Sequence, residues 1–136
     1  MDFMTWTSEM SVGVIVLDND HKKLIGIINQ LHYGITASHK KKILGAVLDQ
    51  LVDYARFHFA REEEFFLQTG YLSATTHRIE HASFISRIAN VQARFKSAPV
   101  AMLDQELMNF LRNWLLTHIQ GSDKKYGPSL NAHGIF

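Results

Sequence analysis

Apolar residues recur at steps of three and four in four stretches of this chain, the spacing of one buried helical face. The first stripe runs His21, Leu24, Ile28, Leu31 and Ile35, and the second Leu44, Val47, Leu51, Tyr54, His58, Glu62 and Phe65. The third is His77, His81, Phe84, Ile88, Val91 and Phe95; the fourth is Leu103, Leu107, Leu111, Trp114 and His118. This pattern predicts helices over about 19–38, 41–68, 75–97 and 101–120. Asp18 or Asn19 is placed to cap the first and Thr75 or Thr76 the third. Gly70 can close the second in the left-handed conformation, and Gly121 loosens the end of the fourth. Residues 1–17 carry Trp6, Val12, Val14, Ile15 and Leu17 without a helical period, so they read as an extended arm lying on the bundle. The tail, 124–136, reads as loosely packed. No stretch alternates as a strand would. Long helices with short connections pack as antiparallel neighbours, so the predicted fold is all-α, an up-down-up-down antiparallel four-helix bundle forming a single domain, 1–136.

Composition narrows the class without deciding the function. A chain of 136 residues suits one domain. Its net charge of +1 gives no nucleic-acid footprint. The absence of cysteine excludes disulfides and thiolate metal sites. No apolar run approaches the roughly 20 residues of a membrane span, and the start lacks a leader pattern. A cytoplasmic protein is the default expectation.

Histidines and carboxylates occupy stripe positions where a core would place leucine. In the antiparallel bundle the start of helix one, the end of two, the start of three and the end of four share one end. His21, His58, Glu62, His77, His81, His118 and Asp123 all fall at that end. Asp123 is the geometric exception, because five α-helical residues turn it about 140° off the face of His118; it turns inward only if the helix unwinds near Gly121. Burying such a layer without a counterion costs several kcal/mol per unpaired ion, against a total stability of roughly 5–15 kcal/mol. A metal site is the cheaper explanation. Seven ligands exceed what a single ion takes, so the layer suggests two metals. If both carboxylates and one oxo or hydroxo group bridge, all but one position of two octahedral ions is filled. Mixed imidazole and carboxylate ligation suits iron, manganese, cobalt or zinc.

The complete constellation resembles the hemerythrin family, in its short single-domain bacterial form. The matching pieces are Asp18-Asn19-Asp20-His21, His58-x3-Glu62, His77-x3-His81 and His118-x4-Asp123, in that order, with Trp6, Trp114-Leu115 and Tyr126 at the family's aromatic positions. The resemblance implies two iron ions with an oxo or hydroxo bridge. His77, His81 and His118 would hold one iron and His21 and His58 the other, with Glu62 and Asp123 bridging. It implies reversible binding of O2 at the two-histidine iron, a carrier, store or delivery protein rather than an enzyme, and an oxidase or signalling protein as partner. Leu115 matches the family's pocket residue. Leu24, Phe59, Trp114 and Ile119 lie within a turn of ligands and are further candidates for the O2-pocket wall, with plain core packing as the simpler role for each.

Two other functional classes fit the same residues: an oxygen or redox sensing module, and a di-iron enzyme handling peroxide or nitric oxide. Ferritin-like sites use more carboxylate, so the histidine-rich set favours binding over oxidation. Glu63 and Glu64 are rotated about 100° and 200° from Glu62 and read as solvated, as does the Lys40-Lys41-Lys42 turn. His39 and His133 fall in a turn and the tail. His32 shares a face with His21 but sits about 16 Å along the helix, where a hydrogen bond or an interface is expected.

Overall fold

The computed structural model describes residues 2–136. Its helices are α1 (Ile15–Thr36), α2 (Lys41–Thr69), α3 (Ala74–Phe95), α4 (Gln105–Thr117) and α5 (Lys124–Ala132), with a π-helical segment (His118–Asp123) joining α4 to α5 without a break. The fourth rod of the bundle is therefore α4, the π segment and α5 in continuous succession. No strand occurs among the described residues, and the fold is an all-α four-helix bundle. Leu17, Leu31, Leu44, Leu51, Ala55 and Leu111 are fully buried along its axis. Each of these leucine side chains contributes about 1.5–3 kcal/mol relative to exposure.

Several helix ends differ from those the pattern predicts. α1 begins at Ile15, because Asp18 is not its cap. The Asp18 carboxylate instead accepts from the Val12 N–H (2.8 Å) and the Ser11 hydroxyl, tying the arm to the first turn. There its charge also suits the positive helix end. α3 starts at Ala74, after Ser73 rather than after Thr75 or Thr76. α4 starts at Gln105, where the Asp104 side chain accepts from the Leu107 N–H at 2.9 Å; Val100–Met102 is a separate 3-10 turn. Gly70 closes α2 with φ at 67°, a conformation that costs glycine nothing.

The tail is helical and packed, not loose. Tyr126, Gly127 and Leu130 are buried. At Gly127 a Cβ would lie 2.2 Å from the Val12 carbonyl oxygen, so only glycine allows the arm to cross α5. Asn131 donates to the Gly13 carbonyl at 3.0 Å from the same helix. On the other side, Asn29 of α1 exchanges two hydrogen bonds with the Met4 backbone, both 2.8 Å. His32 stacks on Phe3 of the arm, ring centroids 4.2 Å apart, so its role is to hold the arm.

Candidate metal centre

Four rods send eight polar side chains into one layer. His58 and Glu62 lie one turn apart on α2, and His77 and His81 one turn apart on α3, so each pair projects from one face. His21 comes from the first turns of α1. His118 and Asp123 stand at the two ends of the π segment. Bonding from i to i+5 adds a residue to the turn, and this returns position i+5 toward the face of position i. The underwinding the sequence required near Gly121 thus takes the form of a six-residue π-helix. Asp20, His21, His58, Glu62, His77, His81, His118 and Asp123 are all buried, none more than 5% exposed.

The donor atoms fall into two groups that share both carboxylates: Glu62, His77, His81, His118 and Asp123 in one, His21, His58, Glu62 and Asp123 in the other. Within each group the atoms lie within 4.8 Å of one another. His77 Nε2 is 2.9 Å from Asp123 Oδ1. His118 Nε2 is 3.0 Å from the same oxygen, and His21 Nε2 is 3.0 Å from Asp123 Oδ2. His81 Nε2 is 3.0 Å from Glu62 Oε1. Although short, these approaches are misdirected for hydrogen bonding, and all five Nε2 atoms, Glu62 Oε1 and both Asp123 oxygens have no hydrogen-bond partner. Their lone pairs converge on common points instead. Metal–nitrogen bonds of about 2.0–2.1 Å at octahedral right angles place neighbouring donors about 2.9–3.0 Å apart. The observed spacings match the edges of such a coordination shell, so the residues fit metal binding.

Behind the donors stands a row of acceptors. His58 Nδ1 donates to Asp20 Oδ2 at 2.9 Å, His81 Nδ1 to Glu63 Oε2 at 3.0 Å, and His118 Nδ1 lies 3.3 Å from Glu80 Oε2. A carboxylate accepting at Nδ1 fixes the proton there and leaves the Nε2 lone pair free for a metal. Asp20 also accepts from the Tyr54 hydroxyl at 2.8 Å and faces Arg61 at 3.4 Å. Burial would raise its pKa, but hydrogen bonds from His58 and Tyr54 and the Arg61 charge hold it below the ordinary aspartate value. Tyr126 donates to Glu62 Oε2; burial, then the Glu62 and Asp123 charges, push its phenol well above 10, so it stays a neutral donor.

Without metal the layer stores protons. Burial disfavours the His21 and His77 cations, yet the negative charges of Asp123 and Glu62 close beside them outweigh it and lift them to about 10 and about 9. Burial likewise opposes the charge on Glu62, but the histidines around it, His58 foremost, keep its carboxyl far below its usual range.

This arrangement has known counterparts. Residues 12–130 match the family described as hemerythrin HHE cation binding domain. The chain belongs to the hemerythrin family. Among its relatives, the bacteriohemerythrin of Stenotrophomonas maltophilia (strain R551-3) is 35% identical, covering 98% of this chain and 85% of that one. That of Methylococcus capsulatus (strain ATCC 33009 / NCIMB 11132 / Bath) is also 35% identical, covering 97% of this chain and 100% of the relative. A crystal structure of wild-type hemerythrin superposes with a TM-score of 0.87 at 35% identity, covering 94% of this chain and 98% of that one.

Within this hemerythrin bundle the apolar candidates divide in two. Phe59 lies flat on His81, centroids 3.8 Å apart, and Trp114 flat on His118 at 4.4 Å, so both rings brace the three-histidine group. Trp114 is half-buried and borders a surface cavity of about 440 Å³ with Glu80 and Phe110. Leu24, Leu115 and Ile119 are buried core residues. Glu63, expected to be solvated, instead braces His81. The sequence reading missed Asp20, Tyr54, Glu63 and Glu80 as supporting residues. Asp20, Glu63 and Glu80 each sit one position from a ligand on their own helix. Among the described residues no helix is long and apolar enough to cross a membrane.

Proposed function

We propose that this protein binds O2 reversibly at a non-haem di-iron centre, as a carrier or store, and is not an enzyme. The observation that carries the reading is the unequal pair of donor groups sharing Glu62 and Asp123, one with five protein donors and the other with four. His77, His81 and His118 would hold one iron and His21 and His58 the other, with Glu62 and Asp123 available to both. With one protein donor fewer, the four-donor side would leave a position for a small exogenous ligand. When bound, the two irons would supply the electrons on which reversible O2 binding draws. The protein's part is to orient and to exclude water. Phe59 and Trp114 fix two imidazole planes, Tyr126 holds Glu62 in place, and Leu24, Leu115 and Ile119 form the dry wall of the pocket.

The test is iron content together with the visible spectrum of reduced protein as O2 is admitted and withdrawn. About two irons per chain, with a charge-transfer band that rises and fades over repeated cycles, is the expected result. Iron that passes once and irreversibly to the oxidised form would overturn the carrier reading. Leu115→Ala should shorten the lifetime of the oxygenated form by admitting water; an unchanged lifetime would remove Leu115 from the pocket wall.

A further inference from the structure

The braces behind the histidines are unequal. Glu63 and Glu80 have side chains 31% and 37% exposed, so both carboxylates border solvent, although the Glu80 oxygen facing His118 is itself buried and its other oxygen accepts from the Ser122 hydroxyl. Asp20 is only 4% exposed. Its charge is therefore divided among protein groups alone: His58 on one oxygen, Tyr54 and Arg61 on the other. Arg61 reaches the surface, lies over the Phe57 ring at 4.7 Å, and precedes the shared ligand Glu62 by one residue.

We propose that Arg61 and Tyr54 act through Asp20 as positioning residues that set how strongly His58 donates to its metal. This rests on the di-iron reading above. An acceptor carrying full negative charge draws the Nδ1 proton and makes Nε2 a stronger donor, which favours the higher oxidation state of the metal. Arg61 and Tyr54 draw charge away from Asp20 and so favour the reduced, oxygen-ready state. Asp20 itself is dry, so its charge acts on His58 at low dielectric, while the 29% exposed Arg61 side chain is partly screened by solvent. The pole that keeps room for a ligand is thus the one whose electronics are set from inside the fold, by a cation that itself touches solvent.

The experiment is the midpoint potential of the iron-loaded protein for wild type, Arg61→Gln, Tyr54→Phe and Asp20→Asn, with Arg78→Gln as control. Arg78 is exposed on α3 and borders the opening above His81. Arg61→Gln and Tyr54→Phe should lower the potential and Asp20→Asn raise it, each by about 59 mV, the one-electron equivalent of a tenfold change in the oxidised-to-reduced ratio. Asp20→Asn should also weaken iron binding about 10–100-fold. A wild-type potential in Arg61→Gln would overturn the relay outright, and an equal shift in Arg78→Gln would overturn it by reducing it to a general field effect. Should Asp20→Asn fail to fold, the Arg61 and Tyr54 variants decide the matter. A wild-type chain that takes up no iron would overturn the di-iron reading itself, an outcome distinct from loaded variants with unchanged potentials.

Discussion

Replacing Tyr126 with phenylalanine isolates one bond behind the metal layer. The ring is fully buried, packed on Phe66 at 5.5 Å and His77 at 5.7 Å between centroids, and phenylalanine keeps those contacts. What disappears is the hydroxyl that donates to Glu62 Oε2. Glu62 is buried completely, so no water replaces the lost donor. A hydrogen bond to a charged acceptor contributes about 1.5–3 kcal/mol. Unfolding entropy of about 2.1 cal/mol/K per residue over this chain gives about 0.29 kcal/mol per degree. The melting temperature should therefore fall by about 5–10 °C, followed by circular dichroism. Because the phenol stays protonated far above neutrality and Glu62 stays ionised far below it, the gap between variant and wild type should be constant from mildly acid to mildly alkaline pH. A melting temperature within about 1 °C of wild type would refute the claim that this bond is buried and charge-assisted.

Gly127→Ala would drive a Cβ into the Val12 carbonyl, and with backbone on the far side neither atom has a free path. Overpacking of this kind costs about 1–3 kcal/mol, so the variant should melt lower and its arm should become protease-sensitive; an intact arm would mean that α5 shifts to make room. Stripping the metal should lower the melting temperature by about 14 °C if free metal had stood a thousandfold above its dissociation constant, since that linkage is worth about 4 kcal/mol. In the metal-free protein, His21 and His77 carry pKa values raised from 6.5 to about 10 and about 9. Raised values stabilise fully below the unfolded pKa and lose their contribution as pH climbs through the folded one. The denaturation midpoint of metal-free protein should accordingly decline between about pH 6.5 and pH 10, while the loaded protein, whose Nε2 atoms bind metal, stays level. A level metal-free profile would contradict the pairing of these histidines with Asp123 and Glu62.

Much of this architecture is legible in the sequence because helical spacing carries it. The stripes through His21, His58, Glu62, His77, His81 and His118 follow α-helical geometry, and short connections bring their ends together. Asp123 escapes that logic, since position i+5 faces inward only when the helix adopts the π geometry, and no α-helical period encodes such a change. The tail escapes it for a different reason. Tyr126, Gly127 and Leu130 look unpatterned until the arm is seen to cross them, and the crossing depends on Gly127 meeting the Val12 backbone.

The supporting carboxylates are hidden by the same reasoning that reveals the ligands. One residue from a ligand is about 100° around the helix, a direction that a single amphipathic helix turns toward water. In a four-helix bundle it is the direction of the neighbouring helix. Asp20, beside His21 on α1, braces His58 on α2; Glu63, beside Glu62 on α2, braces His81 on α3; Glu80, beside His81 on α3, faces His118 at the end of α4. Each of the first three rods thus carries a metal-facing side chain and an acceptor for the next rod's histidine. The succession stops at His21, whose Nδ1 is buried without a partner. An unpaired buried donor costs about 1–3 kcal/mol, and it leaves His21, like His77, without a carboxylate facing its Nδ1. In the four-donor group, His58 faces an Asp20 carboxylate shared with Arg61 and Tyr54, and His21 faces none at its Nδ1. The unequal donor groups, five residues against four, come from the metal-facing stripes themselves, and the unequal braces from the residues one position beside them.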